Sequence, residues 1–201
     1  MSPELVLASS SPYRRELLAR FGVPFAAVAP EVDETPLPGE SVDAMVQRLS
    51  LLKARALAER FPDHLIIGSD QAAEFEHTAV GKPGSRATAA AQLAVMSGRR
   101  IVFHTGLSVL HSASGRAETT VVPTEVTFRP NPPERIARYL ELEPAFDCAG
   151  SFKSESLGAV LCQRITSDDP TALVGLPLLA LVEILAKFGF ELPRPSPEVQ
   201  E

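Results

Sequence analysis

Residues 9–15 carry a dense group of chemically useful side chains. Three serines precede Pro12, and an aromatic residue and two arginines follow it. Ser11 and Pro12 are typical of a helix N-cap and of the first helical position. The free N–H groups and positive dipole end of such a helix suit a phosphate. Arginines in a first turn oppose that dipole, so Arg14 and Arg15 favour an anion docked between them. The alternative is a well-capped helix with solvated arginines.

Two lysines are further candidates for binding an anion. Lys53 lies on or beside the apolar stripe of a helix predicted over residues 41–61. Its ammonium either reaches water along a packed stem or points into a cleft towards phosphate. Lys82 lies in the turn of residues 81–83, where it is either solvent-exposed or a second phosphate ligand.

Carboxylates at two places suit a cation or a water. The apolar run of residues 64–69 predicts a buried strand, with Asp70 at its carboxyl end. Because ligands of open α/β sheets bind beyond the carboxyl ends of strands, Asp70 is a candidate to hold Mg²⁺ or to orient a water. The alternative is an aspartate that caps a turn. The loop of residues 30–40 contains three carboxylates, among them Glu34, and either binds a hard cation or is simply solvated.

Residues 148–155 form either a tight loop that places Phe152 and Lys153 near a ligand or a plain turn. The two cysteines, Cys148 and Cys162, are expected to be reduced core residues because no export signal precedes them. The four histidines have neither a nearby nucleophile nor metal-ligand spacing, so we expect them to be structural or exposed.

These residues need a framework of helices and strands to position them. The hydrophobic patterns predict strands over residues 4–9, 25–29, 64–69, 100–110, 118–128 and 159–165, and helices over residues 11–20, 41–61, 85–96, 132–143 and 173–188. The turn at residues 112–116 joins two of the strands in an antiparallel hairpin. The sequence therefore predicts an α/β fold with a mixed, twisted sheet flanked by helices.

Composition limits the partners that the chain can bind. Its 201 residues fit one domain over residues 1–190, with a disordered tail expected over residues 191–201. A net charge of −6 argues against a broad positively charged surface that binds a nucleic acid polymer, but it is compatible with a local anion pocket. There is neither an apolar run of about 18–20 residues nor the basic start of a signal peptide, so we expect a cytoplasmic protein with no membrane partner.

The motifs, taken together, resemble the Maf family of nucleoside triphosphate pyrophosphatases over residues 4–189. The matching segments are residues 9–14 (SSSPYR), 30–34 (PEVDE), 68–71 (GSDQ), 81–83 (GKP), 97–98 (SG), 105–107 (TGL), 148–155 (CAGSFKSE) and 175–177 (GLP). Each motif is weak by itself, but their joint order along one chain is specific. The resemblance implies a fold similar to Maf proteins and inosine triphosphatases, with a ligand cleft between two lobes.

Three positions depart from the commonest pattern of the family. Most members carry arginine at the position of Tyr13, and those acting on dTTP and UTP carry a small hydroxyl residue at Gln71 and glutamine at Glu155. An aromatic residue, Gln and Glu at these places resemble the subgroup of 7-methyl-GTP pyrophosphatases. Ser156, where many members have glycine, is a minor departure.

The three specificity positions suit a methylated base. Methylation at N7 makes guanine cationic, and a cation over the ring of Tyr13 gains about 0.5–2 kcal/mol. Glu155 adds a complementary charge and accepts hydrogen bonds from the guanine N1–H and amino group. Gln71 offers a donor and an acceptor to the purine edge or the ribose.

The resemblance implies hydrolysis between the α and β phosphates, which yields a nucleoside monophosphate and diphosphate. It makes Asp70 the proton acceptor for the attacking water, although Asp70 is also a candidate metal ligand. Glu34 is a second candidate ligand for a divalent cation, Mg²⁺ or Mn²⁺, that would bridge phosphate oxygens. Phosphate binding is assigned to Ser9, Arg14, Lys53 and Lys82.

Other functions remain open at this point. The substrate could instead be dTTP, UTP or a broad set of noncanonical nucleotides, against which Tyr13 and Glu155 argue. A regulator of septum formation that binds nucleotides without turnover is a further alternative, but the retained phosphate-binding residues and Asp70 favour chemistry. The family implies a housekeeping role in removing modified nucleotides, with a nucleotide as substrate, and suggests a homodimer.

Overall fold

A mixed sheet runs through the computed structural model, which describes residues 4–194. The seven strands within these residues are β1 (Glu4–Ala8), β2 (Phe25–Val28), β3 (His64–Phe75), β4 (Thr78–Val80), β5 (Arg100–His111), β6 (Ala117–Phe128) and β7 (Cys162–Ser167). The strand order is β2-β1-β3-β5-β6-β7, and β4 pairs with β3. The pairs of β1 with β2 and β3 are parallel, whereas the other pairs are antiparallel. The predicted mixed α/β sheet is confirmed.

Helices cover both faces of the sheet. In the described part of the chain they are α1 (Pro12–Ala19), α2 (Val42–Arg55), α3 (Arg86–Met96), α4 (Pro133–Leu142) and α5 (Leu178–Lys187). On one face, α1 and α5 pack over one half of the sheet, and α3 and α4 pack over the other half. α2 packs on the opposite face. Over residues 4–194, none of the helices has the length and apolar character needed to cross a bilayer.

A row of polar side chains separates the two apolar clusters that lie on the same face. β3 contributes Leu65 and Ile67 to the cluster with α1 and α5, and Ala73 to the cluster with α3 and α4. Ser69 and Gln71 lie between them on that face, because alternate residues of a strand point to the same side. The two clusters are therefore the cores of two lobes, with a polar seam between them.

β3 has a free stretch of edge in the middle of the sheet. β1 pairs with it as far as Gly68, β4 begins to pair at Ala73, and residues 69–72 pair only with β5. Asp70 therefore lies within a strand. The prediction that it ends one is wrong, because pairing with β5 carries β3 on to Phe75. The free edge nevertheless opens at the carboxyl end of β1, where α/β sheets bind ligands.

α2 approaches the sheet closely at two glycines. A Cβ atom on Gly68 would lie 2.0 Å from the carbonyl oxygen of Ser50, and one on Gly106 would lie 2.2 Å from that of Val46. Any side chain at these positions would push α2 away, so this approach requires glycine. It brings Lys53, three residues after Ser50, to the surface of the sheet.

The last helix begins five residues later than predicted, at Leu178. The cause is local, because Gly175 has a left-handed backbone with φ of +115° and Pro177 stands just before the helix. The residues before Leu178 instead form a loop that reaches the polar seam. Residues 195–201, most of the expected tail, lie outside the described residues.

Candidate active site

Three adjoining cavities form one cleft at the free edge of β3. Arg14 and Lys82 line all three cavities. The cleft brings together all the site residues proposed from the sequence, which are Ser9, Tyr13, Arg14, Glu34, Lys53, Asp70, Gln71, Lys82 and Glu155. They come from distant segments and meet only in the folded chain.

The ammonium of Lys53 lies between two carboxylates. Its Nζ is 2.5 Å from Asp70 Oδ1 and 2.9 Å from Glu34 Oε1. Lys53 and Asp70 are only 6% and 7% exposed, whereas Glu34 is an exposed loop residue. Among residues 4–194, no side chain donates a hydrogen bond to the other oxygen of Asp70, Oδ2. Asp70 therefore keeps one carboxylate oxygen for a water or a cation in the cleft.

The start of α1 forms the wall next to this pair. The Ser11 side chain caps the helix by accepting from the N–H of Arg14, and Ser9 Oγ accepts from the N–H of Ser11. The Nε of Arg14 donates to the carbonyl oxygen of Gly175 at 2.8 Å, which leaves its terminal nitrogens for a ligand. Burial lowers the pKa of Arg14 below its ordinary value, while the charges of Asp70 and Glu34 act in the opposite direction.

Lys82 closes the cleft from the far side. It is exposed, and it makes no ion pair with any residue of the stretch 4–194. The preceding carbonyl, of Gly81, accepts from the N–H of Gly150 at 3.2 Å and from Gln92 Nε2 at 3.3 Å, so the turn is anchored while its lysine projects. An unpaired ammonium beside Arg14 suits an anionic ligand.

Asp70 and Gln71 point to opposite faces of β3, as neighbours in a strand must. The Nε2 of Gln71 donates to Thr105 Oγ1 at 3.0 Å and to the carbonyl oxygens of Ala172 and Leu173 at 2.9 and 3.0 Å. Its donors are therefore engaged inside the protein. Contrary to the expectation that Gln71 offers both a donor and an acceptor, only its Oε1 is left for a ligand.

The cavity on the Gln71 side, the aromatic cavity, is lined by Tyr13 and Phe152, by the carboxylates of Asp147 and Glu155, and by Arg14 and Lys82. The hydroxyl of Tyr13 donates to Asp147 Oδ2 at 3.2 Å, and the ammonium of Lys153 lies 5.3 Å from the centroid of the Tyr13 ring. Burial raises the pKa of Tyr13 above its ordinary value. Glu155 is exposed at the mouth of the same cavity, and Phe152 is buried in its wall. Residues 148–155 therefore form a loop beside the cleft rather than a plain turn.

Both cysteines are free thiols, as expected. Cys148 lines the aromatic cavity, and burial raises its pKa to about 12. Cys162 is buried in the lobe of α3 and α4, and burial raises its pKa as well. Neither thiol is activated as a nucleophile.

Two aspartates that support the cleft were missed from the sequence. Asp147 holds Tyr13 across 134 residues of chain, a contact that leaves no local signal. Asp169 is buried and accepts from the N–H of Thr171 at 2.9 Å and from that of Leu179 at 2.7 Å. It thereby ties the loop behind Gln71 to the start of α5. The run of Ser, Asp, Pro and Thr before the helix is a typical capping sequence and could have indicated this role.

Two carboxylates in the cleft are of the kind that binds a hard cation. The part of the chain that the structure describes holds no cluster of three or more His, Cys, Asp or Glu side chains suited to a metal. One oxygen of Glu34 and one of Asp70 instead converge on the Nζ of Lys53. Because Mg²⁺ is commonly held by one or two carboxylates together with substrate phosphates, this donor set fits a cation that binds with a nucleotide.

Comparison with known proteins gives a consistent result. A family model described as Maf-like protein matches residues 4–188. The chain is 54% identical over 191 residues to the 7-methyl-GTP pyrophosphatase of Thiobacillus denitrificans, covering 95% of each chain. It is 50% identical over 191 residues to the 7-methyl-GTP pyrophosphatase of Pseudomonas aeruginosa, covering 95% of this chain and 100% of the relative.

Among solved structures, the chain is similar to a HAM1 protein from Coxiella burnetii, with a TM-score of 0.46 and 16% identity over 63% of this chain and 73% of that one. A Ham1 protein from Staphylococcus aureus has the same score and identity, over 62% of this chain and 71% of the other.

Proposed function

The chain belongs to the Maf family, and from this premise we propose that it is a nucleoside triphosphate pyrophosphatase that hydrolyses 7-methyl-GTP to 7-methyl-GMP and diphosphate. The observation that carries the proposal is the division of the cleft by β3. Asp70 lines the cavity of Lys53 and Glu34, and Gln71, which borders that cavity too, is the one of the two that lines the cavity of Tyr13 and Glu155.

The side of the cleft with Asp70 suits the triphosphate. Its charged lining consists of Arg14, Lys53 and Lys82 against Glu34 and Asp70, which leaves an excess of one positive charge. A triphosphate brings roughly four negative charges, so a divalent cation would offset two of the roughly three that remain. The serines at the start of α1, Ser9 among them, add hydroxyl and N–H groups at the positive end of the helix.

We assign Glu34 to the metal, Mg²⁺ or Mn²⁺, which would neutralise charge on the phosphate oxygens, and Asp70 to the attacking water. Lys53 fixes Oδ1 of Asp70 and so orients Oδ2 towards the cleft. Oδ2 accepts the proton of a water as the water oxygen bonds to phosphorus and the bridging P–O bond breaks. Arg14 and Lys82 hold the diphosphate that leaves.

The side with Tyr13 suits a cationic base. Tyr13 and Phe152 provide apolar ring surfaces, and Glu155 and Asp147 provide two carboxylates in the same cavity. With the donors of Gln71 engaged inside the protein, this side chain offers the base only an acceptor, its Oε1. A 7-methylguanine ring carries a positive charge and N–H donors, so it matches both features.

Such an activity would remove a modified nucleotide before it accumulates. The partner that we propose is therefore a small nucleotide rather than a nucleic acid polymer, in keeping with the net charge of −6. We further propose that the enzyme acts in the cytoplasm, where nucleotides are turned over, and as a homodimer.

The test is a panel of nucleoside triphosphates with diphosphate release as the readout, in Mg²⁺ or Mn²⁺ and again in a chelator. We expect 7-methyl-GTP to give the highest kcat/KM and the chelator to abolish turnover. A clear preference for dTTP or UTP would refute the proposed substrate, and binding without diphosphate release would refute the proposed reaction.

A further inference from the structure

We propose that Lys153 is a specificity-determining residue. Its ammonium occupies the cation position over the ring of Tyr13, and only a base with its own positive charge can replace it without losing the contact between a cation and that ring. The inference rests on the proposed function, since it concerns how a cationic base is chosen over a neutral one. It adds a residue that none of the three specificity positions includes.

Tyr13 and Lys153 lie on opposite walls of the aromatic cavity. Tyr13 lies at the start of α1, whereas Lys153 belongs to the loop on the other side of the cavity, next to the lining residue Phe152. The ammonium of Lys153 reaches across to lie 5.3 Å from the centroid of the Tyr13 ring. A flat ring entering between the walls therefore meets the side chain of Lys153.

The backbone of Lys153 is held by hydrogen bonds, so only its flexible side chain can move. Its N–H donates to the buried hydroxyl of Tyr139 at 3.1 Å, and its carbonyl oxygen accepts from the N–H of Gly158 at 3.0 Å. The neighbouring ring of Phe152 packs 5.2 Å from that of Phe128. A base that takes the position over Tyr13 must move the ammonium without moving the loop.

Charge decides which base can do so. The carboxylates of Asp147 and Glu155 lie in this cavity together with Arg14 and Lys82, and the Nζ of Lys153 adds a third positive charge 3.9 Å from Asp147 Oδ1. A neutral guanine that displaces the ammonium gives up the contact of a cation with the Tyr13 ring and leaves the carboxylates with less compensation. A 7-methylguanine restores both the contact with the Tyr13 ring and the compensation of the carboxylates, because it is itself a cation. Lys153 therefore lowers the affinity for neutral bases rather than raising the affinity for the methylated base.

The test compares the affinities of the monophosphates, 7-methyl-GMP and GMP, by calorimetry, so that no catalytic step enters. In Lys153→Met we expect GMP to bind more tightly than it does to the unchanged protein. The preference for 7-methyl-GMP should then fall by about 3- to 30-fold, the range of one cation–π contact. Lys153→Gln, which keeps a polar stem, should behave alike, and Lys153→Arg should retain the preference.

Lys187→Met is the matched control, because Lys187 pairs with Glu118 away from the cleft and its loss removes the same charge. An unchanged preference in both Lys153→Met and Lys153→Gln would overturn the inference, as would a preference that rises. A protein that fails to prefer 7-methyl-GMP before any substitution would instead refute the proposed substrate. The two failures are therefore distinguishable.

Discussion

The ammonium of Lys53 and the carboxylate of Asp70 form a buried ion pair, 2.5 Å apart, between α2 and the middle of β3. The two glycines under α2 make this possible, because they let the helix approach the sheet closely enough for a lysine to reach the strand. A buried pair of this kind is strongly destabilising when one partner alone is removed. It therefore couples the stability of the fold to the chemistry of the cleft.

Replacing Asp70 by asparagine should lower kcat on 7-methyl-GTP by about 10²- to 10⁴-fold, since a positioned general base contributes that much. The measurement is diphosphate release, with circular dichroism to show that the fold is kept. Asp63→Asn is the matched control, because Asp63 is an exposed residue just before the same strand. A kcat within a factor of a few of the original would contradict the role of Asp70.

Replacing Lys53 by methionine should lower the free energy of unfolding by about 3–5 kcal/mol, because the charge of Asp70 is left buried and unpaired. The double variant Lys53→Met/Asp70→Asn should recover a large part of that loss. Urea denaturation of the two single variants and the double variant measures this coupling. If the two single effects simply add, the ion pair does not contribute as described.

Replacing Glu155 by glutamine should lower the ratio of kcat/KM for 7-methyl-GTP over GTP by about tenfold, since a charged acceptor binds a donor more strongly than a neutral one does. Steady-state kinetics on both nucleotides gives the ratio. Glu76→Gln, at an exposed residue paired with Arg99, should leave the ratio unchanged. An equal ratio in Glu155→Gln would show that the carboxylate does not select the base.

Replacing Gly106 by alanine should destabilise the protein by about 1–3 kcal/mol, the usual cost of overpacking, because the added Cβ would lie 2.2 Å from a backbone carbonyl oxygen of α2. Thermal unfolding measures the change. Gly81→Ala is the control for stability, since a Cβ there meets no atom within 4 Å. Equal melting temperatures for the two variants would mean that α2 can shift without cost.

The thiol of Cys148 should react slowly with iodoacetamide in the folded protein. Burial raises its pKa from 9.0 to about 12, so the folded state keeps the thiol protonated, and this costs stability as the pH rises from about 9 towards about 12. At pH 8 we expect alkylation at least about a hundredfold slower than in denaturant, because the thiolate is the reactive form. Mass spectrometry of both states tests this, and equal rates would contradict the burial.

Local features of the fold could be predicted from the sequence because their causes are local. Ser11 and Pro12 cap and start α1 as their types suggest. Asp70 was correctly placed at a strand, but the end of that strand was not. β3 continues because β5 pairs with it from Leu65 to Glu74, and no residue near Asp70 signals that partner.

Contacts between distant segments could not be predicted. Gln71 donates to the carbonyl oxygens of Ala172 and Leu173, about a hundred residues further along the chain, and this contact decides which of its atoms a ligand can meet. The contact of Lys153 with Tyr13 spans 140 positions in the same way. Residue type gave the candidates for the cleft, whereas tertiary packing decides which atoms they present.

The alternation of side chains at the free edge of β3 has a consequence for how such an enzyme can change. Asp70 and Gln71 are joined by a single peptide, yet in the proposed mechanism Asp70 acts on the bond that breaks and Gln71 contacts the base. Substitutions on the side of Gln71 can therefore alter substrate preference while leaving the hydrolytic side intact. In evolution, a few substitutions on that side can change which nucleotide is bound, while the residues proposed for hydrolysis stay the same.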